Sequence, residues 1–186
     1  MLKFFYIFFY LIIILTTNLN AKENIMILKL KDGDVKIQMF PDVAPNHVKR
    51  ITELANSGKY DNVVFHRVID GFMAQTGDVK FGKSDSKDFD LRKAGMGGSD
   101  LPDLKQEFND VPHERGTVSM ARSSPPDSAN SQFFICFDQA SFLDRQYTVF
   151  GKVIEGMEFI DMIKKGDSDN NGSVSDPDKI VSFKSE

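Results

Sequence analysis

The chain has 186 residues, a mass of 21.0 kDa, a formal net charge of −4 and a pI near 5.4. That length reads as one domain, and the acidic balance is a poor match to phosphate backbones, so no nucleic-acid partner is expected. The lone cysteine, Cys136, excludes an intramolecular disulfide, and no Cys/His cluster has zinc spacing, so neither a structural metal nor another cofactor is expected.

The first element in chain order is a leader. Met1-Leu2-Lys3 precedes twelve apolar residues, Phe4 to Leu15, and then Thr16-Thr17-Asn18-Leu19-Asn20-Ala21. A basic start, an apolar stretch too short to span a bilayer and a small residue before a polar body are the parts of a secretory signal. Residues 1–21 are therefore expected to be removed, leaving residues 22–186 with no membrane insertion. The alternative is an uncleaved anchor. Removing Lys3 takes the net charge from −4 to −5. Export with a single thiol and no disulfide suits a bacterial periplasm.

The body opens with two strands across Lys31-Asp32-Gly33, since Asp-Gly between apolar runs is a strong hairpin signal. Val35, Ile37 and Met39 alternate with Asp34, Lys36 and Gln38, the pattern of a half-buried strand. Pro45 then opens a helix whose Val48, Ile51, Leu54 and Ala55 share one face, with Gly58 placed to stop it. Strands are predicted at 63–69, 72–76, 116–120, 131–137, 147–154 and 179–183, and a second helix at 157–165. Many short strands and only two helices predict a mainly β protein built on a closed antiparallel barrel. The polar span Lys80–Gln106 is long for a connection in a compact domain, and such loops tend to be functional or mobile.

Two side-chain patterns stand out. Strand alternation places Arg67 on the face of Phe65 and Ile69, and a charge set into an apolar face is the informative anomaly. Alternation also separates Gln132, Phe134 and Cys136 from Phe133, Ile135 and Phe137, whose aromatic members read as plain core. Among the histidines, His47 reads as a surface helix residue, His66 as a hydrogen-bonded core residue, and His113 as a loop residue without pattern. Asp167 to Asp178 has oxygen ligands at calcium-loop spacing. Its twelfth residue is Asp rather than Glu, Pro177 precedes it and a strand follows, so it reads as an Asn-Gly turn.

Three blocks together resemble the cyclophilin family of peptidyl-prolyl cis–trans isomerases. They are Phe65-His66-Arg67-Val68-Ile69-Asp70-Gly71-Phe72-Met73-Ala74-Gln75-Thr76-Gly77-Asp78, then Asn130-Ser131-Gln132-Phe133-Phe134-Ile135, then Phe142-Leu143-Asp144 with Tyr147-Thr148-Val149-Phe150-Gly151. The resemblance runs over roughly residues 25–183. It implies an eight-stranded antiparallel barrel capped by two helices, with a proline pocket on its outer face. By matching position, Arg67 is implied as the catalytic arginine and Gln75 as its supporting amide. Phe72, Met73, Phe134 and Leu143 are implied as pocket walls, and Ala121, Arg122 and Gln132 as a border for bound peptide. Phe142 and Tyr147, also in the binding region, stand where the family often has tryptophan and histidine. Asp70 replaces a frequent proline, and Arg122 a frequent asparagine. The implied activity is rotation about X–Pro bonds in folding exported polypeptides, with a monomer expected. The rival reading is a chaperone or binding module that holds proline-containing segments without turnover.

Overall fold

A computed structural model describes residues 24–186, so the predicted leader lies outside the described residues. The hairpin forms as expected. β1 (Ile25–Lys29) and β2 (Asp34–Met39) pair antiparallel from Lys29 opposite Asp34, and the Leu30 N–H donates to the Gly33 carbonyl at 2.9 Å. α1 (Pro45–Asn56) starts on its proline and buries Val48, Ile51, Leu54 and Ala55. Ala44, at its N-cap, has no side-chain acceptor. The Glu107 carboxylate supplies one from far along the chain, accepting the amides of Asn46 and His47, each at 3.1 Å. A carboxylate suits that end of the helix dipole. It also bonds His47 Nδ1 at 2.6 Å, and this draws His47 out of solvent altogether, contrary to the surface reading.

The remaining strands are β3 (Arg67–Ile69), β4 (Met73–Thr76), β5 (Thr117–Met120), β6 (Phe133–Cys136), β7 (Val149–Glu155) and β8 (Ser182–Ser185). All pairings are antiparallel, in the order β3-β4-β6-β5-β7-β2-β1-β8. The sheet has two edges, β3 and β8, so the expected closed barrel is corrected to a half-barrel. Between those edges lie isolated bridges, Val64 with Lys179 and Arg67 with Ser173, and scattered backbone hydrogen bonds rather than a continuous ladder. The segment that would complete the ladder carries Pro177, which has no amide to donate.

That same irregularity corrects the face assigned to Phe65. Regular strand begins only at Arg67, because the chain before it bonds to residues 174–180 instead: Phe65 N–H donates to the Asp178 carbonyl at 2.8 Å. Phe65 turns into the main core, while Ile69 packs on the outer cluster beside Arg67's pocket. The second helix, α2 (Met157–Asp161), is shorter than predicted. The chain leaves it to dock on the edge strand, where Gly166 N–H donates to the Val68 carbonyl at 2.9 Å.

The concave side of the half-barrel holds the main core. Tyr60, Phe133, Phe150 and Phe183 meet there in edge and tilted ring contacts, with Tyr60 donating to the Ser131 carbonyl at 2.7 Å. β6 divides its side chains as alternation predicts: Phe133 and Ile135 enter this core, while Phe134 and Cys136 join Met73, Ala140 and Leu143 in a smaller cluster on the convex side. That second cluster is the floor of the site.

Candidate active site

Adjacent antiparallel strands set the site. Register places Arg67 opposite Gln75 across β3 and β4, and Gln75 opposite Phe134 across β4 and β6. The three side chains therefore project in a row on the convex face. Around them is a pocket of about 310 Å³ whose lining is Arg67, Phe72, Met73, Gln75, Ala121, Arg122, Phe134, Phe142, Leu143 and Tyr147. Ten of the eleven residues singled out from sequence thus meet in one cavity. The eleventh, Gln132, lines a neighbouring cavity of about 330 Å³ that shares Gln75, Ala121 and Arg122 with the first.

Met73, Phe134 and Leu143 are buried and form the apolar floor. Phe142 is 65% exposed and leans on Phe72 with ring centroids 5.4 Å apart, a rim rather than a floor. Tyr147 meets Phe134 edge-on at 5.9 Å, and the Arg122 guanidinium lies over the Tyr147 ring at 4.5 Å. Arg122 is fixed there by donating to the backbone carbonyls of Gln146, Ser123 and Ser124.

Arg67 is half-buried at the edge of this floor, and burial lowers its pKa from the ordinary guanidinium value. Its side chain is held at four points. Nε donates to the Asn171 carbonyl at 3.1 Å, Nη2 to Asn171 Oδ1 at 3.0 Å, and Nη1 to Gln75 Oε1 at 3.3 Å and to the Met73 sulfur at 3.7 Å. A guanidinium has five N–H donors. One, on Nη2, is left without an acceptor among the described residues.

Asn171 is a residue that the sequence reading missed. It lies in the predicted Asn-Gly turn, where the chain makes a short 3-10 turn, Ser168–Asn170, capped by the Asp167 carboxylate. Asn171 follows in the left-handed region at φ 51°, which asparagine tolerates. The calcium-like spacing drew attention to the segment, but nothing local in it signals a contact with Arg67 more than a hundred positions earlier.

His113 was missed for the same reason. Its fully buried ring stacks on Phe134 at 6.0 Å, with Nδ1 at 3.0 Å from Asp144 and Nε2 at 3.0 Å from the Ser119 hydroxyl. Burial lowers its pKa against the opposing pull of Asp144. The ring is bonded at both nitrogens, to Asp144 and to Ser119, and braces the floor from behind. Ser119 is fully buried, so this Ser-His-Asp line has no access to a substrate carbonyl. His66 departs from its reading too. It is buried, but neither ring nitrogen has a hydrogen-bond partner among the described residues, and burial lowers its pKa to about 4.

The site is thus an apolar basin on the outer face of a β half-barrel with a restrained guanidinium at its rim. The description of cyclophilin-type peptidyl-prolyl cis-trans isomerases matches residues 25–185, and the chain belongs to that family of isomerase enzymes. A probable peptidyl-prolyl cis-trans isomerase of Brucella suis is 60% identical over 159 residues, covering 86% of this chain and 81% of its own length. Peptidyl-prolyl cis-trans isomerase A of Dickeya dadantii is 40% identical over 153 residues, 79% of this chain and 74% of its own. Among solved structures, a cyclophilin of Hirschia baltica superposes with TM-score 0.73 at 27% identity, over 89% of this chain and 74% of that one. A Cryptosporidium parvum cyclophilin-type isomerase crystallised in the presence of the dipeptide Ala-Pro gives 0.74 at 28% identity, covering 87% and 98%.

Proposed function

We propose that the 310 Å³ pocket seats the proline ring and that Arg67 catalyses rotation about the X–Pro bond. Conjugation of the nitrogen lone pair gives that bond a barrier of about 18–20 kcal/mol, and unaided isomerisation takes roughly 10–100 s. In the twisted state the lone pair leaves conjugation and the prolyl nitrogen becomes an acceptor. The observation that carries the reading is the one Arg67 N–H without a protein acceptor while the rest of the guanidinium is tied down. A preorganised donor aimed at charge that develops only in the transition state favours that state over the flat ground states. The apolar floor holds the ring while the preceding carbonyl swings. No bond is broken, so the site residues need supply neither a nucleophile nor a base.

Asn171 supports this role by fixing two of the guanidinium's nitrogens. Asn171→Gly keeps the left-handed backbone and its carbonyl but removes Oδ1. Loss of one such bond, typically worth 0.5–1.5 kcal/mol, should lower kcat roughly threefold to tenfold in a coupled cis–trans assay on X–Pro peptides. An unchanged kcat would remove Asn171 from the machinery.

The clients we infer are exported polypeptides folding in a bacterial periplasm. The support is the sequence pattern of residues 1–21 and the lone thiol, Cys136, which is buried. Among the described residues no helix is long and apolar enough to cross a membrane. Osmotic shock should release a chain whose intact mass begins near Lys22. A full-length chain in the membrane fraction would show instead that Phe4–Leu15 is an anchor.

A further inference from the structure

The loop that follows β4 is tied to the site by one buried carboxylate. Asp78 is fully buried. Its Oδ1 accepts the amides of Lys80 at 3.0 Å and Phe81 at 2.9 Å, and its Oδ2 those of Gly95 at 2.8 Å and Gly97 at 2.9 Å. The two glycines are close-approach positions. A Cβ at Gly97 would lie 2.5 Å from Asp78 Oδ1, and one at Gly95, where φ is +99°, would lie 2.9 Å from the His66 ring.

The carbonyls of these same glycines face the other way, toward the site. Gln132 Nε2 donates to Gly95 O at 2.9 Å and Gly97 O at 2.7 Å, which uses both of its hydrogens. Gln132 Oε1 is then free only to accept, and it takes a bond from Gln75 Nε2 at 3.0 Å. Gln75 must therefore turn its oxygen to Arg67 Nη1. A side-chain amide can be flipped end for end at little steric cost, so something must decide which end faces the guanidinium. If Gln75 presented its NH₂, two donors would oppose each other and Arg67 would lose an anchor.

We propose that the loop Lys80–Gly97 is a positioning element of the active site: its Gly95 and Gly97 carbonyls, held in place by Asp78, set the amide polarity of Gln132 and Gln75 and so fix Arg67. The inference rests on the reading of Arg67 as the catalytic group. It makes Asp78 and Gln132 positioning residues, and it gives the long loop a task in turnover that does not require it to touch the proline.

The test is a double-mutant cycle on the full chain, assayed for kcat and KM on X–Pro peptides. Asp78→Asn turns an NH₂ toward two of the four backbone amides and so loosens the hold on the loop that carries the two glycines. As a misplacement transmitted to a reacting group, it should cost roughly tenfold in kcat with KM within about twofold. In an Arg67→Ala background the same substitution should cost less than about twofold, because its effect passes through Arg67. Gly97→Ala, which displaces a carbonyl without removing the carboxylate, should behave the same way and serves if Asp78→Asn does not fold. An equal loss in both backgrounds would show general damage and overturn the proposal, as would an unchanged kcat in both variants. Near-normal turnover by Arg67→Ala alone would overturn the underlying reading instead.

Discussion

Arg67→Ala lowers kcat/KM by roughly two to three orders of magnitude, the usual cost of removing one preorganised transition-state donor. The expectation follows from the geometry of the side chain. Its anchors, Asn171, Gln75 and Met73, already hold the guanidinium in the absence of substrate, so little reorganisation remains to be done during rotation. Arg67→Lys should recover little of the loss. An ammonium is a strongly hydrated point charge without a planar fork, and its rotatable donors on a flexible stem present no N–H in a fixed direction. Folding should survive, since the side chain lies at the edge of the outer cluster and the main core stands on other residues. Thermal unfolding and the coupled assay on the same preparations decide the matter. A folded Arg67→Ala protein with near-normal turnover would leave an isomerase whose catalysis does not depend on the arginine.

How much of this was legible in the sequence depends on the range of the interaction involved. The two faces of β6 were readable, because both are apolar and period-two alternation separates Phe133 and Ile135 from Phe134 and Cys136, although the strand is shorter than the 131–137 expected. Eight of the pocket's ten lining residues were readable because they fall in three local blocks, and Ala121 and Arg122 lie outside them. The closed barrel was not, because closure depends on whether β3 and β8 meet along a ladder. A proline in the connecting segment and single bridges are a tertiary outcome that strand periodicity does not encode. His47 illustrates the same limit: nothing near Pro45 announces that Glu107 will cap the helix and take the imidazole with it. Asn171, His113 and the Asp78 staple each act across a gap in sequence, and each was invisible until the fold closed that gap.

The second large effect is on stability, and it comes from His66. Its ring is buried beneath the loop at Gly95 with neither nitrogen hydrogen-bonded among the described residues, and desolvation, opposed chiefly by the charge of nearby Asp78 and by the Val64 backbone, lowers its pKa to about 4. An unfolded chain would titrate this histidine near 6.5. Above that pH the ring is neutral in both states and contributes nothing to the pH dependence. As pH falls below 6.5 the unfolded state takes up a proton that the folded state refuses, so stability declines, and the decline ends only once the folded ring also protonates near pH 4. A gap of that size corresponds to about 3 kcal/mol lost across the window. His47 and His113, also lowered by burial, add loss of the same sign, so the difference between two proteins is the quantity to measure. His66→Leu replaces the ring by an apolar side chain of similar volume. Any packing cost it carries is the same at every pH, whereas the titration disappears. Denaturant unfolding from pH 7 down to pH 4.5 should therefore show the unsubstituted protein losing stability faster than the variant. Parallel curves would mean that the folded protein already protonates His66 at its ordinary pH, through an acceptor that opens beside the ring.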